Sequence, residues 1–257
     1  MIENRVIPVL LVQDNKLVKT VKFKRPVYIG EPINTAKIFN DKEVDELVVF
    51  DISASKPGSE INFQLISEFA SECFMPLCYG GGVRTLSDIE HILKLGVEKV
   101  SLNTAAIVND QLVEEAAKAF GSSTIVVTMD VKKDWRGRYR VYSRGKLTAC
   151  LAEEYALSVQ AKGAGELIIN AVDRDGTMEG YDIELVKTIT NRLSIPVVAC
   201  GGAGSLQDFH DIFASGGVFA AGAGSVFIFH DKKRSVLINY PSQSELSRYV
   251  DLFSETE

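Results

Sequence analysis

The sequence predicts an α/β fold, a single closed (β/α)8 barrel (TIM barrel) made of two duplicated half-barrels. Three observations carry that prediction. Eight short runs of branched apolar residues recur along the 257-residue chain, each followed by a turn and an amphipathic segment. The runs are apolar on both faces, as strands of a parallel sheet covered on each side must be. Finally, Glu46-Leu-Val-Val matches Glu166-Leu-Ile-Ile, Met75-Pro76-Leu77 matches Ile195-Pro196-Val197 and Leu95-Gly96 matches Ser215-Gly216, all at an offset of 120 residues. A repeat of half the chain with four strands per half reads as a duplicated half-barrel.

The strands are expected at residues 5–12, 46–51, 76–79, 98–103, 124–130, 166–171, 196–199 and 218–223. Segment 13–31 is longer than most barrel loops and is a candidate lid. The helix through Leu86, Ile89, Ile92 and Leu93 starts at Thr85 or Ser87, and Ser87 with Glu90 has capping-box spacing. After the fifth strand, Trp135 and residues 136–144 read as a hairpin over the barrel mouth, within an excursion of about 132–146. One domain is expected over 1–257, with half-barrels at about 1–120 and 121–240 and a terminal helix at about 242–254. About 250 residues is the usual size of such a barrel.

Composition narrows the partners. With 46% hydrophobic and 24% charged residues the chain reads as an ordinary soluble globular protein. A net charge of −6 argues against nucleic acid as the main partner. No secretory pattern and no membrane-length apolar run precede the first strand. Four cysteines without zinc-type spacing and three histidines argue against a metal, and no cofactor is expected. Cytoplasmic residence is the simple reading. Cys73 and Cys78 read as buried small apolar residues.

Barrel geometry sorts the remaining residues by end, because chemistry sits at the C-terminal ends of the strands and stability at the other. Glycines after the third strand (Gly80, Gly81, Gly82) and seventh (Gly201, Gly202, Gly204) let backbone approach a ligand closely. Asn103-Thr104 and Gly224-Ser225 follow the fourth and eighth strands, giving two candidate phosphate cradles across one mouth. A bis-phosphate ligand, with a phosphate at each end, fits that arrangement. Asp130 ends the fifth strand as a candidate acid or base. Asp175 and Asp51 are placed either to orient substrate or to cap their own turns. Lys19 lies in the 13–31 segment, where a lysine is ordinarily a solvated charge. At the opposite end Arg5, Glu46, Lys99 and Glu166 share inward parity with Leu11, Phe50, Asn103 and Asn170. Taken alone, two cations and two anions there read as a stabilising ion-pair ring.

Arg5-Val-Ile-Pro, Asp45-Glu-Leu-Val, Asp51-Ile-Ser-Ala-Ser, Gly80-Gly-Gly, Val100-Ser-Leu-Asn-Thr-Ala-Ala, Asp173-Arg-Asp-Gly-Thr and Gly201-Gly-Ala-Gly together resemble the cyclase subunit of imidazole glycerol phosphate synthase over nearly the whole chain. The resemblance implies a glutaminase at the barrel bottom and an ammonia gate formed by Arg5, Glu46, Lys99 and Glu166. It also implies active-site places for Asp130, Lys19, Asp51, Asn103 and Asp175. The family has a second catalytic aspartate at the end of the first strand. Here that position is Leu11, and the family threonine at position 170 is Asn170.

Leu11, the Val18-Lys-Thr-Val-Lys-Phe-Lys stretch, the Cys73–Cys78 region and the tail from Arg234 to Pro241 resemble a paralogue found with surface polysaccharide and flagellar sugar genes. That likeness implies ammonia transfer to an N-acetyl sugar amidotransferase that forms an acetamidino group, with a sugar-nucleotide as the alternative small molecule. Two alternatives remain: a cyclase of histidine biosynthesis (a lyase) impaired by Leu11, and a non-catalytic scaffold for a glutaminase.

Overall fold

The computed structural model of the chain describes residues 4–56, 58–230 and 234–250. Eight strands close a parallel barrel in the order β1 (Arg5–Gln13), β4 (Leu47–Asp51), β5 (Leu77–Gly80), β6 (Lys99–Leu102), β7 (Ile125–Lys133), β10 (Glu166–Ala171), β11 (Val197–Cys200) and β12 (Ala220–Ala223), which pairs back to β1. The expected strands are all present, with ends moved by at most three residues, the largest shift being at the end of the fifth. Helices α1 (Pro32–Asp41), α2 (Phe63–Glu72), α3 (Leu86–Lys94), α4 (Thr104–Val108), α5 (Gln111–Phe120), α6 (Ala152–Ala161), α7 (Ile183–Thr190) and α8 (Leu206–Gly216) link successive barrel strands, and α9 (Gln243–Val250) follows the last. Positions 251–254 of the expected terminal helix lie outside the described residues.

Two separate apolar regions hold this together. A large one fills the shell between strands and helices. A small one, containing Ile7, Val48, Cys78, Val126, Ile168 and Val198, fills the lumen. The split follows from side-chain alternation along each strand. Tyr240, fully buried, donates its hydroxyl to the Val6 carbonyl at 2.8 Å and ties the tail segment to the first strand.

Two expectations, the cap of α3 and the burial of Cys73, are corrected, and the 13–31 segment is given a definite structure. Segment 13–31 is an ordered antiparallel extension, β2 (Lys16–Val21) and β3 (Lys24–Gly30), continuing the sheet from the end of β1. Leu17, Val18, Val27 and Ile29 supply apolar, mostly β-branched strand positions. The cap of α3 is Thr85 with Asp88 as reciprocal partner, not Ser87 with Glu90. Cys73 is only partly buried, whereas Cys78 sits wholly inside the lumen.

After β7 the chain makes a similar meander, β8 (Tyr139–Ser143) and β9 (Lys146–Leu151), reaching beyond the expected 146. Both arms rise from the C-terminal ends of barrel strands one and five, on opposite sides of the mouth. They meet above it, where the Phe23 and Tyr142 rings lie 6.2 Å apart.

Candidate functional site

The floor of the lumen is a closed ring of four side chains. Arg5 donates to Glu46 through one guanidinium nitrogen and to Glu166 through another at 2.7 Å. The Lys99 ammonium donates to both oxygens of Glu46 and to Glu166, each at 2.9 Å. Every charge touches two of opposite sign. Burial works against the charge on Arg5 and Lys99, but the two glutamates outweigh it and hold both pKa values above normal. Burial pushes Glu46 upward against the pull of Lys99 and Arg5. Charge-assisted bonds of this kind are about twice as strong as neutral ones.

Above the floor the lumen is mostly apolar, with one polar side. Ser101 and Thr128, both buried, share a hydrogen bond of 2.6 Å. They lie two residues above Lys99 and two below Asp130, so hydroxyls span the gap between floor and mouth on that wall. Sequence reasoning missed this pair. Its signal was the inward parity that Ser101 shares with Lys99 and Thr128 with Asp130.

At the mouth, Asp130 accepts from the side-chain amides of Asn103 at 2.8 Å and Asn170 at 3.2 Å. Burial raises its pKa to about 7; the two amides oppose that rise, and nearby Asp175 adds to it. A carboxyl so poised can hold or release a proton near neutral pH. Lys19 is not the solvated lysine expected from its loop-like context. It is 6% exposed, its ammonium donates to the Val9 carbonyl at 2.8 Å, and burial lowers its pKa to about 8 against the pull of Asp175. Its ammonium occupies the space that a Cβ at Gly224 would need, 1.9 Å away. Glycine at 224 is therefore what lets the cation reach the eighth-strand loop.

Asp175 is drawn into the first arm. It accepts from the Thr20 hydroxyl at 3.1 Å, and its backbone carbonyl accepts from Lys22 at 2.9 Å. Asp51 caps its own loop, taking Ser53 N at 2.9 Å and Ala54 N at 3.2 Å on one oxygen. Asp51 thus caps its own turn, whereas Asp175 bonds to the first arm instead of its own turn.

The cradle residues divide similarly. Gly81 and Gly82 have positive φ, and a Cβ at 81 would lie 2.4 Å from the Asp51 carbonyl. Gly202 is equally constrained by the Gly180 carbonyl, while the Gly204 N–H is already donated to Asp208 at 2.8 Å. Asn103 precedes α4, which opens at Thr104, and Ser225 starts a buried one-turn helix. An open cleft of about 800 Å³ adjoins the seventh- and eighth-strand loops, with Ser205, Val226 and Arg234 among its lining residues. Arg234 was legible only as part of a tail motif, not as a group facing this cleft.

Leu11 completes the mouth. The first strand is in register with the second, Val9 opposite Val48 and Leu11 opposite Phe50, and Val9 and Phe50 pack onto the lumen cluster. Alternation puts Leu11 on that inward face. Asp14, the nearest acid along the strand, lies in the β1–β2 turn with φ 51° and donates its backbone N–H to the Ser53 hydroxyl. No carboxylate of the first arm has taken the place of residue 11.

Residues 5–234 match the histidine biosynthesis protein family. A Pseudomonas aeruginosa protein provisionally named imidazole glycerol phosphate synthase subunit hisF2 is 48% identical over 248 residues, covering 96% of this chain and 99% of its own length. A Vibrio vulnificus protein, provisionally named subunit hisF3, is 44% identical across 98% of both chains. An Alkaliphilus metalliredigens protein named imidazole glycerol phosphate synthase subunit HisF is 42% identical over 90% of this chain and 92% of its own. Barrel closure, the lumen and these end-to-end matches agree: the chain belongs to the histidine biosynthesis protein family, as a HisF-like barrel of the imidazole glycerol phosphate synthase type.

Proposed function

We propose that this barrel receives ammonia from a HisH-type glutaminase docked beneath the charged floor and conducts it through the lumen without itself closing an imidazole ring. The ammonia then serves an N-acetyl sugar amidotransferase that makes an acetamidino group for surface polysaccharide or flagellar glycan, in the cytoplasm. The observation that carries the reading is the pairing of an intact floor with Leu11 at an unshifted mouth. A ring of four mutually bonded charges blocks ions, and the apolar walls above it favour neutral ammonia over ammonium, whose desolvation is costly. Displacing Lys99 alone breaks three of the ring's contacts and opens one side. Ser101 and Thr128 give the passing molecule hydrogen-bond partners midway.

Ring closure and cleavage need proton transfers on two faces of the substrate, and Asp130 supplies a carboxyl on one. Losing a positioned acid or base costs about 10²–10⁴ in rate. Leu11 therefore leaves a mouth that can hold an anionic ligand near Lys19 while turning it over slowly. A cyclase reading is favoured by Asp130 held between the Asn103 and Asn170 amides and by the likeness to a protein named imidazole glycerol phosphate synthase subunit HisF.

The separating experiment supplies the purified chain with ammonium and the bis-phosphate substrate of the cyclase family. Cyclisation at least about 10²-fold below ordinary enzyme turnover of roughly 1–10³ s⁻¹ is the expected result. Turnover within that ordinary range would overturn the conduit reading.

A further inference from the structure

Two arms over the mouth carry a charge pattern unlike the rest of the chain. Residues 16–30 and 132–151 hold twelve of the 28 basic side chains and one of the 34 acidic ones, in a chain of net charge −6. Much of that charge is left unneutralised. On the first arm Lys16, Lys22, Lys24 and Arg25 are exposed and form no ion pair among the described residues. On the second, Arg136, Arg144 and Lys146 are likewise exposed and unpaired. The single acid, Asp134, is used up inside its arm by Arg138 and Arg140.

The same arms concentrate exposed apolar surface. Trp135 is 84% exposed with Arg136 stacked on its ring, and Val27 and Tyr28 are 59% and 57% exposed on the outer strand β3. Phe23 and Leu147 add to the patch. Aromatic and arginine side chains of this kind anchor protein interfaces, and a rim of one sign steers a partner of the opposite sign.

We propose that the two arms form a docking collar for the protein that consumes the ammonia, and that this protein presents an acidic rim around the entrance to its own active site. The inference rests on the conduit reading and adds the surface and the chemistry of the partner. Position decides the occupant. The arms rise from opposite strands and meet directly over the lumen exit, so whatever covers them covers the exit. Ammonia released into open solvent near neutral pH is protonated and diluted, so a conduit is useful only if its consumer seals the outlet. Neither a nucleic acid nor a lipid surface provides that seal. Opposite-sign rims also speed encounter and make it salt-dependent.

The test uses the chain in complex with its glutaminase, and the N-acetyl sugar amidotransferase from the same source. Two charge-reversal variants are compared with the unaltered chain: Lys24→Glu with Arg25→Glu, and Arg136→Glu with Arg144→Glu. Each is expected to weaken amidotransferase binding by about tenfold or more. Binding should also fall with rising salt for the unaltered chain, and glutaminase affinity at the far end should not change. Glutamine-dependent product should fall in parallel, while product made from added ammonium stays constant. A Trp135→Ala variant, which keeps all charges, should weaken binding without altering its salt dependence.

If the unaltered complex transfers no glutamine nitrogen to the amidotransferase, the conduit reading itself fails and the collar with it. If transfer occurs but the reversals bind and transfer like the unaltered chain, the collar alone is overturned. Binding of a single-stranded oligonucleotide, or of vesicles containing anionic lipid, at physiological salt and loss of that binding in the same variants would also overturn it.

Discussion

Asp130 and Leu11 face a shared problem from opposite sides. A buried carboxyl wants to be neutral, and Asp130 is held near pH 7 by burial even though two amides favour its charge. Because its folded pKa is raised, its contribution to stability is complete below the ordinary aspartate range and is lost as pH climbs toward about 7. Asp130→Asn removes that titration. The variant should gain in thermal midpoint relative to the unaltered chain as pH rises from about 4 to about 7, by at least roughly 2–4 °C, and the gain should then level off. A constant difference across that range would show that Asp130 titrates normally. Leu11→Asp restores a second carboxyl on the inward face of β1. Ammonium-dependent cyclisation should rise by about 10²–10⁴, read as product formed from the bis-phosphate substrate. No rise would place the block elsewhere at the mouth. Gly224→Ala is a third test, because the added methyl and the Lys19 ammonium cannot share one space. Displacing the cation should weaken binding of inorganic phosphate by about tenfold or more, measured by calorimetry.

Elements were legible in the sequence to different degrees, for physical reasons. Barrel strands buried on both faces read as plain apolar runs, so all eight were found. The two arms are only half covered, and β3 in particular is mostly exposed, with Pro26 within it. Such strands give a weak apolar signal, and segment 13–31 read as a lid. The burial of Lys19 was hidden for the same reason, since nothing local says that its strand folds back over the lumen. Arms following strands one and five also lie at half-barrel-equivalent places. A half-barrel copied together with its arm is one reading that unites them with the 120-residue repeat. At α3, Thr85 bonds Asp88 N at 3.1 Å and Asp88 returns to Thr85 N at 2.9 Å, which fixes the helix start just after the glycine turn. Thr85→Ala should cost about 1 kcal/mol, measured by denaturant unfolding.

For the whole molecule, a charged floor and a polar mouth lie at opposite ends of one lumen. The floor was legible as four residues of one parity, but its closure into a ring was not, because closure depends on strand registers that no local pattern states. Arg5→Ala leaves Glu46 and Glu166 with Lys99 alone. It should cost roughly 2–3 kcal/mol, below the 3–5 of a fully buried pair because the Arg5 side chain is 29% exposed. The midpoint should fall by roughly 5–10 °C. Delivery is tested most directly by isotope. The chain, its glutaminase and the sugar amidotransferase are supplied with amide-¹⁵N glutamine in a large excess of unlabelled ammonium, and the product nitrogen is read by mass spectrometry. Passage through the lumen predicts product that keeps the glutamine label despite the excess. Product nitrogen matching the bulk ammonium would contradict it.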